Sequence, residues 1–283
     1  QRPMKIAFQG AFGANSHQAV NERFPHGDAV PCHDFKTAFQ SVENGETDAA
    51  LIPIDNTSAG RVADIHYLLP RSKLFIRGEH FLNINHAIMG LPGATLDRAT
   101  QAHSHVHALG QSHKAMARHS LQPVVASDTA AAAQWVAAQA DPCMVAIANP
   151  LAAEIYGLEI LDPNANDNPI NVTRFVELSL DHRLPPIDQD QPIVTTLMFR
   201  TRSVSAALYK ALGGFATNGI NMTKLESYIG DDFGVAEFLL EVEAHPEEHR
   251  MKDALDELDY FSAPDAKPRI LGVYPAASFR TAS

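Results

Sequence analysis

Along the first 180 or so positions, short apolar runs are followed by small polar residues and then by helical stretches. Ile6-Ala7-Phe8 gives way to Gly10, Gly13, Asn15 and Ser16, then to a helix from about His17. Asp34 is placed to cap a helix from Phe35 to Asn44, which Gly45 would end. Ala49 to Ile54 reads as a buried strand; after the polar stretch Asp55 to Gly60, Val62, Ile65 and Leu69 share one helical face. Val124-Val125-Ala126 leads through Ser127-Asp128 into an alanine-rich helix, Thr129 to Ala140. Met144 to Ala148 leads to Asn149-Pro150, a cap followed by proline in the first turn, and that helix should stop at Gly157.

Repeated strand-cap-helix units predict parallel sheets with helices packed on their faces. They place polar residues at strand ends, where open α/β sheets bind ligands. Ser16, Asn56, Thr57, Ser127 and Thr173 are such residues, although capping alone explains Ser127 and Asn149. The pattern breaks at Asp181 to Pro192, a charged, proline-bearing linker. Beyond it, Ile193 to Phe199 predicts a strand and Val204 to Thr217 an amphipathic helix. Ile220 to Ile229 and Phe233 to Val242 predict two strands turning around Gly230-Asp231-Asp232. A helix over Pro246 to Leu258 and a strand over Ile270 to Tyr274 complete a βαββαβ, ferredoxin-like order.

Composition narrows the function classes. A length of 283 residues suggests about two domains, and 45% hydrophobic residues suffice for a sizeable core. A formal charge of -11 argues against nucleic-acid or anionic-membrane partners, so an anionic small molecule would need a local positive pocket. Cys32 and Cys143 lack CxxC spacing and read as free thiols of a reducing, cytoplasmic setting. No apolar stretch reaches about 18 residues, and Gln1 to Ile6 lacks a signal peptide's apolar region.

His103-Ser104-His105-Val106-His107 alternates like a strand face, but no partner motif supports a metal, and a loop or helix start before Ala108 is the favoured reading. Gly10-Ala11-Phe12-Gly13 permits close backbone approach without forming GxGxxG or a Walker motif, and GxSxG is absent. Asn171-Val172-Thr173-Arg174-Phe175 sets a hydroxyl beside a fixed cation where a loop becomes a strand. The hydroxyl suits a leaving oxygen and the guanidinium a carboxylate. Taken alone, the segment reads as an ordinary strand start.

Six segments together resemble the prephenate dehydratase family over nearly the whole chain, in its single-function form with a C-terminal ACT domain. They are Gly10 to Ala19, Pro53 to Val62, Ser104 to Gln111, Asp128 to Ala132, Val145 to Leu161 and Asn171 to Phe175. The resemblance implies a catalytic region at 4–180, similar to a type II periplasmic binding protein. One lobe spans about 4–80 plus 166–180 and the other about 81–165, with the hinge beside Thr173. A linker at 181–192 and an ACT domain at 193–275 follow.

The family's catalytic threonine falls on Thr173, next to Arg174, with Asn56, Ser104 and Gln111 as catalytic pocket residues. Ser16, Thr57 and Phe175 fall at substrate-binding positions, Phe175 packing behind the others. Asp55 stands where glutamate is usual, Thr57 where serine is usual, and Gly13-Ala14-Asn15-Ser16-His17 where Gly-Thr-Tyr-Ser-Glu is commoner. The implied reaction expels hydroxyl and carbon dioxide from prephenate to give phenylpyruvate. Aromatisation drives it, so no metal or other cofactor is implied. The family's effector motifs fall on Ala206-Ala207-Leu208 and Glu226-Ser227-Tyr228-Ile229, with Asn221 upstream. This implies L-phenylalanine binding at Ala207, Leu208, Asn221, Glu226 and Ser227, and a homo-oligomer, dimer or tetramer, formed through ACT domains. Alanine for glycine at 206 and Tyr-Ile for Arg-Pro at 228–229 leave the strength and sign of that regulation open. An arogenate dehydratase, a solute-binding protein and a silent amino-acid sensor are the rival readings.

Overall fold

The computed structural model describes residues 2–187, 191–229 and 236–281, and the chain divides into two compact units. The first comprises residues up to His66 together with His80–Val176; the second comprises Tyr67–Glu79 and Glu177 onward. The hairpin expected around Gly230-Asp231-Asp232 lies outside the described residues.

The chain opens with β1 (Lys5–Gln9), α1 (Asn15–Arg23), β2 (Asp28–Cys32), α2 (Phe35–Glu43), β3 (Ala49–Asn56), β4 (Gly60–Arg61) and α3 (Ala63–Leu68). It continues through β5 (Phe75–Asn83), β6 (Ala87–Gly90), β7 (Gln101–His105), α4 (Val106–Gly110), α5 (His113–Arg118) and β8 (Gln122–Ala126). Next come α6 (Thr129–Gln139), β9 (Met144–Ala148), α7 (Pro150–Tyr156), β10 (Glu159–Asp162) and β11 (Val172–Ser179).

Two sheets give the first unit its two lobes, the type II arrangement. One has the order β2-β1-β3-β11-β5, with β1 parallel to both neighbours; the other has the order β10-β6-β9-β7-β8. In the second lobe the period-two alternation of strands is explicit. Ile88, Ala102, Val145 and Ile147 bury one face with Leu109, Met116 and Leu121, while Ala87, Met89, Ala146 and Ala148 bury the other. That second face receives Ala133 and Val136 of α6 and Ala152 and Ala153 of α7, whose small side chains let helix and sheet approach closely. Each large aliphatic side chain buried in this way contributes about 1.5–3 kcal/mol.

Caps fix the helix starts locally. Asp34 accepts from the Thr37 amide at 2.7 Å, Asp128 from Ala131 at 2.9 Å and Asn149 from Leu151 at 2.9 Å. Asp128 takes the role that the sequence left to Ser127, because its carboxylate stands one residue nearer the helix. Gly157 closes α7 in the left-handed region.

Two segments cross between the lobes and are laced together. The Ile84 amide donates to the Asn171 carbonyl at 2.6 Å, Asn166 donates to the Ile84 carbonyl at 2.6 Å, and the Asn166 side chain accepts from the His86 amide at 3.0 Å. His86 is buried at this crossing, and burial pushes its ring down to about 4.

The second unit contains β12 (Ile193–Arg200), α8 (Ala207–Thr217), β13 (Met222–Ile229), β14 (Ala236–Val242), α9 (His249–Phe261), β15 (Arg269–Pro275) and α10 (Ser278–Thr281). Sheet order β13-β14-β12-β15 gives the ferredoxin-like arrangement. Its core joins Leu197, Phe199 and Leu240 of the sheet to Phe215, Met251 and Leu258 of the helices.

Helix α8 starts at Ala207 rather than Val204, because Ala206 adopts the left-handed region at φ 57°. Strand β13 starts at Met222 rather than Ile220, whose amide bonds to Phe215 at the helix end. Helix α9 starts at His249 rather than Pro246, since the Glu248 carboxylate folds back to accept from the His245 amide at 2.8 Å. The Phe75–Glu79 part of β5 lies parallel to β15, with Ile76 in register with Gly272. A Cβ at Gly272 would stand 2.4 Å from that of Ile76, so only glycine allows this approach.

Candidate active site

At the end of β3 and the start of β11, neutral side chains form a continuous hydrogen-bonded chain. Asn56 Nδ2 donates to Thr173 Oγ1 and to Asn171 Oδ1, both at 2.8 Å, and Asn171 Nδ2 donates to Gln111 Oε1 at 3.0 Å. The chain therefore runs from the first lobe through the crossing segment to the residue that caps α4 in the second. Asn56 Oδ1 accepts from the Ser58 and Ala59 amides at 2.8 and 2.7 Å, which fixes the amide so that its nitrogen faces Thr173. Thr57 ties the same strand ends: its amide donates to the Val172 carbonyl, and its hydroxyl oxygen accepts from the Val172 amide at 2.9 Å.

This wiring sets which protons remain for a ligand. Thr173 Oγ1 already accepts from Asn56, so its own O–H is free to donate elsewhere. Gln111 engages its carbonyl oxygen and keeps its Nε2 protons. Ser16, in the first turn of α1, has no hydrogen-bond partner for its hydroxyl among the described residues and is 8% exposed. Ser104 differs. It is fully buried at the end of β7 and donates to the Ile147 carbonyl at 2.6 Å, leaving only its lone pairs.

Successive strand residues point to opposite faces, and Arg174 parts from Thr173 accordingly. Its guanidinium lies 3.5 Å from Asp55, whose other oxygen is 4.0 Å from His66. Phe175 is buried with Ile6, Phe8, Val20 and Leu51, and so stiffens the strand behind Thr173. Asn171, 2% exposed, is the central link of the chain, a role that its motif in the sequence does not reveal. The signal that could have singled it out is its place two residues before Thr173, on the same strand-face period.

The first glycine loop closes onto the second lobe. Gly13 sits at φ +91°, where an added Cβ would stand 2.8 Å from Ala152 Cα of α7. Tyr156 donates to the Phe12 carbonyl at 2.6 Å, and Asn149 donates to Asn15 at 2.9 Å. His17 stacks on Phe8 and meets Phe12 edge-on, and its Nδ1 accepts from the Gly13 amide at 3.0 Å. Burial lowers its pKa, which favours the neutral ring that this bond requires. The unusual residues of this loop thus support one another. Beside it lies a cavity of about 490 Å³, lined by Phe12, Pro31, Ala131 and Tyr156 on its apolar side and by His33 and Asp128 on its polar side.

In the second unit, Ala207 is buried at the start of α8, and Asn221 donates to Glu243 at 2.7 Å. Leu208 packs against the unit's core, while Glu226 and Ser227 lie on β13.

The family model for prephenate dehydratase matches residues 6–183. A bifunctional N-acyl-homoserine lactone acylase/prephenate dehydratase of Komagataeibacter europaeus is 45% identical over 277 residues, covering 97% of this chain and 97% of that protein. Arogenate dehydratase 3 of Arabidopsis thaliana is 34% identical over 96% of this chain and 67% of its own length. The crystal structure of prephenate dehydratase from Arthrobacter aurescens in complex with L-Phe superposes with a TM-score of 0.87. It is 29% identical, with 97% of this chain and 91% of that one covered.

Proposed function

The chain belongs to the prephenate dehydratase family and is a hydro-lyase of phenylalanine biosynthesis; from that premise we propose that it converts prephenate to phenylpyruvate, water and carbon dioxide at the Thr173 cluster. The observation that carries this reading is the donor bond from Asn56 to Thr173, which turns the threonine proton outward. That proton is placed to pass to the departing ring hydroxyl, which leaves as water, and a proton from solvent restores the threonine hydroxyl. The electron pair of the breaking C–COO⁻ bond enters the ring, which becomes aromatic as carbon dioxide departs. Gln111 Nε2 and the Ser16 hydroxyl are spare neutral donors for substrate oxygens. Arg174, expected from the sequence to grip a substrate carboxylate, instead lies on the opposite strand face beside Asp55, and its proposed part is to supply positive charge behind the strand. Positioning and preorganised donors account for the rate enhancement, and burial weakens the solvation that would hold the carboxylate charge in place.

L-Phenylalanine is the proposed effector, bound in the second unit near Ala207, Leu208, Asn221, Glu226 and Ser227 of a homo-oligomer, dimer or tetramer. The L-Phe complex of the Arthrobacter aurescens relative supports this assignment. A second reading, N-acyl-homoserine lactone hydrolysis beside the dehydratase reaction, is favoured by the 45% identity to the bifunctional relative along both chains. The partly apolar 490 Å³ cavity could take an acyl chain.

One assay separates these activities. Purified protein is given prephenate, arogenate or an N-acyl-homoserine lactone in parallel, with and without phenylalanine. Aromatic products are followed by ultraviolet absorbance and released fatty acid by chromatography. Phenylpyruvate formation is expected to exceed phenylalanine formation from arogenate at least tenfold; the reverse ratio replaces prephenate with arogenate as substrate. No fatty acid release removes the second reading. Size-exclusion chromatography should give a mass of at least twice 30.8 kDa, and a monomer would remove the oligomer proposal.

A further inference from the structure

The second unit holds a cavity whose lining carries four cationic side chains in a protein of net charge -11. It measures about 310 Å³ and lies over the ends of β12 and β15, bounded by Pro70 and Arg71. Arg269 donates to the Pro70 carbonyl at 2.6 Å and to the Ser72 carbonyl at 2.9 Å. Arg71 donates to the Tyr67 carbonyl at 2.9 Å, and its guanidinium lies 3.9 Å from the centre of the Tyr67 ring. Carbonyl oxygens and a ring face orient these two guanidiniums without cancelling their charge, and neither has a carboxylate partner among the described residues. Lys267 lies 3.6 Å from Asp259 with its side chain 83% exposed, and Arg200 pairs with Asp265. Glu237 is the single acidic side chain on the lining. The half-buried Pro70 and Met198, the latter paired across the sheet with Arg269, give the lining its apolar part.

Preoriented, uncancelled guanidiniums beside apolar side chains form a receptor for a carboxylate that carries an apolar body. The volume is at the small end for ligand sites, which limits the occupant to a compact molecule. We propose that this cavity binds a small monocarboxylate with an apolar body, held by Arg71 and Arg269 and resting on Pro70 and Met198. It shares no residue with the Thr173 cluster or with the proposed phenylalanine positions. The proposal therefore stands whether or not the dehydratase reading does.

The test is isothermal titration of the full chain with benzoate, with acetate and inorganic phosphate as comparison ions. Benzoate is expected to bind with one site per chain and more tightly than either comparison ion. Arg71→Gln and Arg269→Gln should each weaken it about tenfold or more, the loss of a charge-assisted bond. Arg174→Gln should leave it unchanged. Glu237→Gln should tighten benzoate binding severalfold, an effect that a merely structural role for Glu237 would not produce. Lys267→Gln, at an exposed position that folding does not need, should weaken it a few-fold and guards against misfolding of the arginine variants. Absence of binding at millimolar benzoate overturns the proposal, as does loss of binding in Arg174→Gln alone. Phosphate binding as tight as benzoate binding overturns the apolar component.

Discussion

The start of β11 in the first unit and the end of the chain in the second both bury polar side chains, with opposite outcomes. Around Thr173 every partner is neutral, and the hydrogen-bond pattern leaves donors over: the threonine hydroxyl and the Gln111 amide nitrogen. In the second unit, Arg280 grips Glu79 in a bidentate fork at 2.7 and 2.9 Å and also donates to Glu241 at 3.0 Å. The Ala277 amide donates to Glu79 as well, and Thr196 bridges Glu241 and Tyr274. There the donors are consumed by internal acceptors, so the cluster serves as a fastening for α10. The lesson is that buried charge does not by itself mark a reactive site. The cluster proposed as reactive is set apart by a fixed network that ends in unspent donors.

The comparison can be broken in four places. The largest effect is expected at Thr173→Ala, which should lower phenylpyruvate formation about 10²–10⁴-fold with the melting temperature nearly unchanged, whereas Thr173→Ser should retain much more activity. Near-full turnover of the alanine variant would remove Thr173 from the mechanism. Second, Glu79→Gln should cost about 3–5 kcal/mol of stability in urea unfolding, since it strands part of a buried ion cluster. Turnover by the folded fraction should stay within about twofold of the native rate, because the Glu79 cluster fastens α10 and leaves the Thr173 network intact; a selective loss of activity would contradict that division of roles.

The third place is His86, whose folded pKa of about 4 lies below the ordinary value of 6.5. The unfolded chain thus binds the proton more readily than the folded one. The stability from the neutral buried ring is complete above about pH 6.5 and falls as the pH drops towards 4, by roughly 3 kcal/mol in total. His86→Leu should flatten this part of the melting-temperature profile; an unchanged acid slope would assign the dependence to other groups. The smallest effect is at Ala206, where an L-residue occupies the left-handed region. Ala206→Gly should raise stability by about 1 kcal/mol, since the relieved strain outweighs the added chain entropy. Calorimetry showing destabilisation would mean that the alanine methyl makes contacts worth more than the strain.

Features with local causes were legible in the sequence. Asp34, Asn149 and Gly157 were read correctly as caps and stop because capping involves only residues one to four positions apart. The apolar runs of β1, β3 and β9 and the βαββαβ order followed from periodicity in the same way, whereas Gln101–His105, favoured as a loop or helix start, is strand β7, held between β8 and β9 by pairing that only the tertiary structure supplies. Misread boundaries had causes that periodicity does not encode: the left-handed Ala206, the Ile220 amide taken by the preceding helix, and the Glu248 carboxylate folding back on His245. Motif matching proposes Thr173, Asn56 and Gln111 as site residues, but it could not say that Asn56 donates to Thr173 or that Asn171 joins the lobes. Those bonds link residues 60 to 117 positions apart.

By itself, then, the sequence determined the elements, their order and the residue types available for chemistry, since these depend on short-range sterics, capping and side-chain period. Only the tertiary structure decided which protons stay free at Thr173 and Gln111, why Gly272 must be glycine against Ile76, and which arginines keep their charge uncancelled. These outcomes depend on distances between segments far apart in the chain, and a donor's availability is fixed only when every neighbouring acceptor has its place.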